Sequence, residues 1–212
     1  MDIPIYLETG TRRVFACSVE WPGWCRSARD ESSAIEALAD YLPRYARVAE
    51  KAGIPFGDGT AQFEVIERVK GSGTTDFGAP GSIPDVDRLP LDPPTRIRLG
   101  RLLRAAWDCL DAAVGAAPVV LPKGPRGGGR DRDEIVRHVL EAETSYARTI
   151  GVRASVPDAG AASVIAEHRD AIASAIENPE HEGRSWPIAY ACRRIAWHVL
   201  DHAWELEDKS AT

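Results

Sequence analysis

No run of apolar residues in this 212-residue chain approaches the ~20 needed to span a bilayer; AAPVVL is among the longest. The opening MDIPIYLETG has an acid at position 2 and no basic segment ahead of an apolar core, so it does not read as a signal peptide. A cytoplasmic protein, with no membrane partner, is expected. Positive charge is also in short supply: 26 Lys and Arg face 32 Asp and Glu, a formal net charge of −6. The first 75 residues hold 9 basic and 11 acidic groups and the remainder 17 and 21, so neither part is basic. The polyanion attraction behind nucleic-acid binding is missing as a global feature, and such a partner is not favoured.

Cysteine is sparse and unpaired in sequence. Cys17, Cys25, Cys109 and Cys192 include no C-x-x-C, which argues against a disulfide framework or a thiolate zinc site. Cys109 and Cys192 fall in helical patterns and read as small core residues. Cys25 lies near a turn and is the candidate for exposure. The GPRGGGR segment lacks the G-K-[ST] ending of a phosphate loop and follows no strand, so its glycines read as a mobile rim.

What is present divides the chain in two, as an α+β protein. Residues 2–8 and 13–21 are β-rich and separated by a TGTR turn, and P-G-W leads to a short third strand at 24–28. From Asp30 to Gly53 the apolar positions Ala34, Ile35, Leu38, Leu42, Tyr45 and Val48 recur at helical spacing. Asp30 or Ser32 can cap that helix, and Pro43, with no amide hydrogen, predicts a kink or two abutting helices. Residues 61–69 alternate and read as a fourth strand. The first module, 1–70, is therefore β-β-β-α-β. Residues 71–94 are rich in Gly, Pro, Ser and Asp without a period, a linker stiff enough to lie as an ordered strap. From 95 to 212 the pattern predicts four amphipathic helices, about 95–116, 132–150, 159–177 and 186–208. That is an all-α four-helix bundle, an architecture that places functional groups between facing helices.

The histidines carry the functional signal. His198 and His202 are one turn apart in RRIAWHVLDHAWELED, and His202 fills a gap in the stripe Ile188, Cys192, Ile195, Val199 and Leu206. Residues four apart differ by only ~40° around the axis, so both imidazoles face inward or to the seam. His138 lies on the inward face of the second helix, between Ile135 and Val139. One histidine and an i, i+4 pair can converge on a divalent transition metal, for which imidazole suits zinc or nickel. The competing reading is that these imidazoles bond to carbonyls or carboxylates and serve only packing. His168, on the third helix's stripe, is a second-choice ligand; His181, in a loop, reads as solvated.

With those residues in view, positions 95–208 resemble the DinB/YfiT-type bundle superfamily. The match lies in DEIVRHVLEAETSYARTIG around His138 and YACRRIAWHVLDHAWELED around His198 and His202, in residue type and position along the chain. The resemblance covers a little over half the protein. It implies that His138, His198 and His202 bind a divalent metal with open positions remaining. It also implies a metal-dependent hydrolase or a thiol S-transferase of the mycothiol or bacillithiol type, acting on a small molecule. The segment RVFACSVEWPGWCRSARDESSAIEAL is similar to the HicB-type fold, which implies a β-β-β-α-β module but no antitoxin role.

H-V-L-D-H lacks the Glu after its first His that zinc metalloproteases use as base, so proteolysis is not expected. Asp201, beside His202, and Glu141, one turn beyond His138, are the candidate catalytic residues; Glu205, three after His202, is a further candidate for orienting a ligand. Arg193 and Arg194 could hold a substrate carboxylate or pair across the surface. Trp197 and Trp204 share a face suited to the first module or to a second subunit, hence a possible homodimer. The alternative to an enzyme is a non-catalytic metal- or ligand-binding protein using its first module as a contact surface. Arginine outnumbers lysine 22 to 4, a bias associated with GC-rich bacterial genes.

Overall fold

The structure is a computed structural model describing residues 2–57, 60–123, 129–178 and 185–211. His181 and most of the GPRGGGR segment lie outside the described residues. Among the described residues, four strands and seven helices make an α+β chain: β1 Asp2–Thr9, β2 Val14–Ser18, β3 Cys25–Ala28, α1 Glu31–Asp40, α2 Leu42–Lys51, β4 Gln62–Lys70, α3 Gly73–Phe77, α4 Pro93–Ala116, α5 Arg132–Thr149, α6 Ala162–Glu177 and α7 Ile188–Ser210. No helix is long and apolar enough to cross a membrane, among the described residues.

The sheet is mixed, in the order β3-β2-β1-β4, with β4 parallel to β1 and the other pairs antiparallel. Its two faces meet different helices. Ile3, Ile5, Leu7, Val14 and Ala16 pack with Ala34 and Leu38 of α1 and with Tyr45, Val48 and Ala49 of α2. Tyr6, Phe15, Cys17 and Cys25 turn the other way and meet Trp197 of α7. That alternation is the period-2 geometry of a strand buried on both faces. Asp30 caps α1 by accepting from the Ser33 amide, and the chain breaks at Tyr41 so that Pro43 falls in the first turn of α2. Pro is tolerated there because the first-turn amides have no helical partner.

The segment after β4 is more regular than its composition suggested. Ser72 and Thr75 form a capping box on the short α3, and Asp85–Arg88 makes a single 3-10 turn. Two carboxylates of the sheet hold this connector down. Glu8, fully buried, accepts from the Thr75 hydroxyl and from the Gly81 and Ser82 amides at 2.9 and 3.0 Å. Glu67 accepts from the Asp85 and Val86 amides. The signal for order lay in these two acids, outside the segment itself. Periodicity within the segment could not show it.

The four long helices pack together, α4 against α6 and α7, and α5 against α7. α7 is buried on nearly every side from Ile188 to Leu200, as expected of a helix enclosed by neighbours. Its turn-side contact is close. Gly23, with φ +89°, brings the Trp21–Trp24 turn against α7, where a Cβ would stand 2.7 Å from Leu200 Cδ1 and 2.9 Å from the Ala196 carbonyl carbon. Only glycine meets both demands. Cys25 is buried rather than exposed, because the turn that follows β2 is itself pressed onto α7. Arg193 is buried as well: it donates to the Val19 carbonyl and pairs with the buried Asp87 of the connector. Trp197 meets Phe15 edge-on at 6.1 Å and Trp204 meets Tyr41 at 5.0 Å, so the tryptophan face is covered by this chain's own first module.

Candidate metal centre

α5 is set by a capping box, in which the Asp131 amide donates to Glu134 at 2.9 Å. Ile135 and Val139 are fully buried and anchor the helix with His138 between them, half-exposed. On α7, Ile195 and Val199 are likewise buried and present His198 and His202, which are only 7% and 8% exposed. The two helices bring one ring nitrogen from each histidine to within 4.8 Å of the others. His138 Nε2 and His198 Nε2 are 3.2 Å apart. Two nitrogens each ~2.0–2.1 Å from one tetrahedral ion would stand about 3.3–3.4 Å apart, so the spacing fits a shared cation.

The second nitrogens differ in their partners. His202 Nδ1 meets Glu205 Oε2 at 2.8 Å, and Lys209 Nζ donates to the other oxygen of that carboxylate at 2.6 Å. This leaves Nε2 of His202 for the centre, the arrangement in which a carboxylate orients a ligating imidazole. His198 Nδ1 is buried without a hydrogen-bond partner. Burial holds the His198 imidazole well below its ordinary pKa, and the neighbouring His202 and His138 act in the same direction. Burial also lowers His138, assisted by Arg130. Neutral imidazole is the metal-binding form. Glu205 is drawn down to about 2, first by its bond with His202.

Of the carboxylates singled out from sequence, Glu205 touches an imidazole. Asp201 pairs at 3.0 Å with Arg26 of β3, across the contact between sheet and helix. Glu141 is on the solvent side of His138, facing Arg137 at 4.0 Å, in an open cleft of about 160 Å³ shared with Arg130, Glu134 and His138. His168 stands apart from the three-histidine group: its Nε2 is 3.3 Å from the Thr144 hydroxyl.

Sequence reading missed the aromatic surround of His198. Tyr146 and Trp197 lie 6.0 and 6.1 Å from it, and the Arg194 guanidinium sits over both rings at 5.0 and 4.6 Å. Arg194 is thus neither a surface ion pair nor free at a substrate mouth. The available signal was spacing: Tyr146 follows His138 by about two turns, and Arg194 precedes His198 by one.

The fold and site define an α+β chain with a three-histidine candidate metal centre between two helices. Comparison with family models, curated proteins and solved structures finds no match to this chain.

Proposed function

We propose that this chain is a divalent-metal-dependent enzyme of the DinB/YfiT-like kind, acting on a small molecule as a hydrolase or a thiol S-transferase. The observation that carries the reading is the convergence of His138, His198 and His202, with Glu205 fixing the third ring. Three ligands are the number used by catalytic zinc sites, whereas closed structural sites use four. Zinc or nickel suits the all-imidazole donor set. When bound, such an ion retains its full double charge and supplies Lewis acidity at whatever position the protein leaves open.

The chain's own residues do the rest. Glu205 and Lys209 hold the His202 tautomer. Tyr146 and Trp197 exclude water from one side of His198. The cleft at His138 supplies an approach, with Glu141 on its wall as the candidate proton acceptor and Arg130 and Arg137 available to an anionic group. Asp201, engaged with Arg26, fits a role in positioning α7. The HicB-like module is assigned the same task through its contacts on that helix.

The test is turnover by metal-loaded, untagged protein in parallel screens: ester and amide hydrolysis, and conjugation of a low-molecular-weight thiol to electrophiles. Activity in one screen that disappears in His202→Ala and survives in Asp201→Asn is expected. A metal-loaded protein inactive in both, with the cleft blocked to added imidazole, would leave the binding-protein alternative in its place.

A further inference from the structure

Cys17 and Cys25 are eight residues apart in sequence and carry no motif, yet they are direct cross-strand partners of β2 and β3. The Ser18 amide donates to the Trp24 carbonyl at 2.9 Å, so the Ser18–Trp24 pair is a hydrogen-bonded one. Pair types alternate along an antiparallel ladder, which makes Cys17–Cys25 a non-hydrogen-bonded pair, the kind with Cα atoms ~4.5 Å apart and side chains closest. That separation is within the range a disulfide spans. Their Sγ atoms are 2.6 Å apart, well inside the van der Waals separation of two sulfurs.

We propose that Cys17 and Cys25 are a dithiol modification site, closed to a cross-strand disulfide by a hydroperoxide. The sulfurs lose two electrons and their two protons; the peroxide O–O bond breaks, yielding the alcohol (water, for hydrogen peroxide) and one further water. A void of about 10 Å³, the size of one water, is lined by both cysteines together with Tyr6, Arg193 and Trp197. Both thiols are buried, and burial pushes the Cys25 thiol up, so the pair reacts when β3, a four-residue edge strand, opens. Closure has a structural consequence. The residues between the two cysteines form the turn that Gly23 presses onto α7, and Arg26, next to Cys25, binds Asp201 on α7. The disulfide therefore clamps the segment that docks onto the helix bearing His198 and His202.

The test uses the full chain treated with hydrogen peroxide, then denatured, alkylated and cut with trypsin. Both cysteines lie in one fragment, Val14–Arg26. The expected result is that this fragment becomes unalkylated and lighter by two hydrogens, reversibly with a reductant, while Cys109 and Cys192 stay alkylatable. Thermal unfolding of the oxidised chain should shift upward. In Cys17→Ala the loss of two hydrogens should vanish; should that variant fail to fold, the wild-type fragment still decides. All four thiols alkylating after treatment would overturn the proposal, as would separate oxygen adducts on Cys17 or Cys25. A bond that forms without any shift in unfolding would overturn the clamp.

Discussion

Two groups of polar side chains lie wholly or partly buried among the four long helices, and they are built in opposite ways. One joins Trp107 of α4, Glu143 and Thr144 of α5, and His168 and Arg169 of α6. Its members are complementary: Trp107 Nε1 donates to Glu143 at 2.6 Å, Arg169 stands 3.9 Å from the other Glu143 oxygen, and Thr144 faces His168. Arg169 also reaches Asp111. The other group, His138, His198 and His202, aims like at like. Three imidazoles converge with no acid among them, and the carboxylate that touches the group does so from behind, through Glu205. Buried polar groups lacking partners are costly. The first group meets much of that cost with protein atoms, although Glu143 Oε2, His168 Nδ1 and Arg169 Nε make no hydrogen bond; the second is arranged so that a cation could meet it.

The sharpest way to break the contrast is to remove a member of each group. His198→Ala should eliminate stoichiometric divalent-metal binding, measured by isothermal titration. His168→Ala should leave binding intact, because its imidazole serves Thr144. Next comes the platform that holds α7. Gly23→Ala forces a positive φ on a residue with a Cβ and drives that Cβ into Ala196 and Leu200. A loss of about 2–4 kcal/mol is expected in denaturant unfolding.

Glu143 tests the complementary group through pH. Burial raises its carboxyl from 4.5 to about 7, outweighing the pull of Arg169. Between those values the folded state binds a proton that the unfolded state has released. Stability should therefore fall as pH rises through this window, by up to about 3 kcal/mol. Glu143→Gln retains an acceptor for Trp107 and should flatten that slope, leaving the variant more stable than wild type at about pH 8 and no better at about pH 4. An unchanged slope would remove Glu143 as its source.

Glu205→Gln, which weakens the orientation of His202, should cost roughly 10–100-fold in metal affinity without abolishing binding. Asp201→Asn should change stability by no more than about 1 kcal/mol, since its pair with Arg26 is partly exposed.

These groups were unequally legible in the sequence. The histidines could be read because helical spacing placed each on an inward face, and the three-way convergence follows from facing helices. Glu143 could not: apolar spacing from Ile135 and Val139 continues to Ala142, whereas the helix buries Glu143 and Thr144 beside it. A polar residue enters a core only with partners from other helices, and Trp107 and Arg169 lie 36 and 26 positions away. The same reason hid what holds the 71–94 strap, whose amides are bound by Glu8 and Glu67 from two strands. It also hid the Cys17–Cys25 pairing, which depends on strand register. The order of elements other than α3 was legible because it rests on local periodicity, and so were Asp30 as a cap and the break near Pro43. The ends were less so. β2 stops at Ser18, short of Trp21, because the chain must turn there to reach α7.

Metal content is the most direct test of the three-histidine centre. Protein produced without an affinity tag should carry about one equivalent of a first-row divalent ion by elemental analysis. A chelator should remove it and lower the unfolding temperature, and added zinc or nickel should restore both. Protein that contains no such ion, takes up none on incubation and unfolds identically with and without chelator would show that His138, His198 and His202 are packed for structure alone.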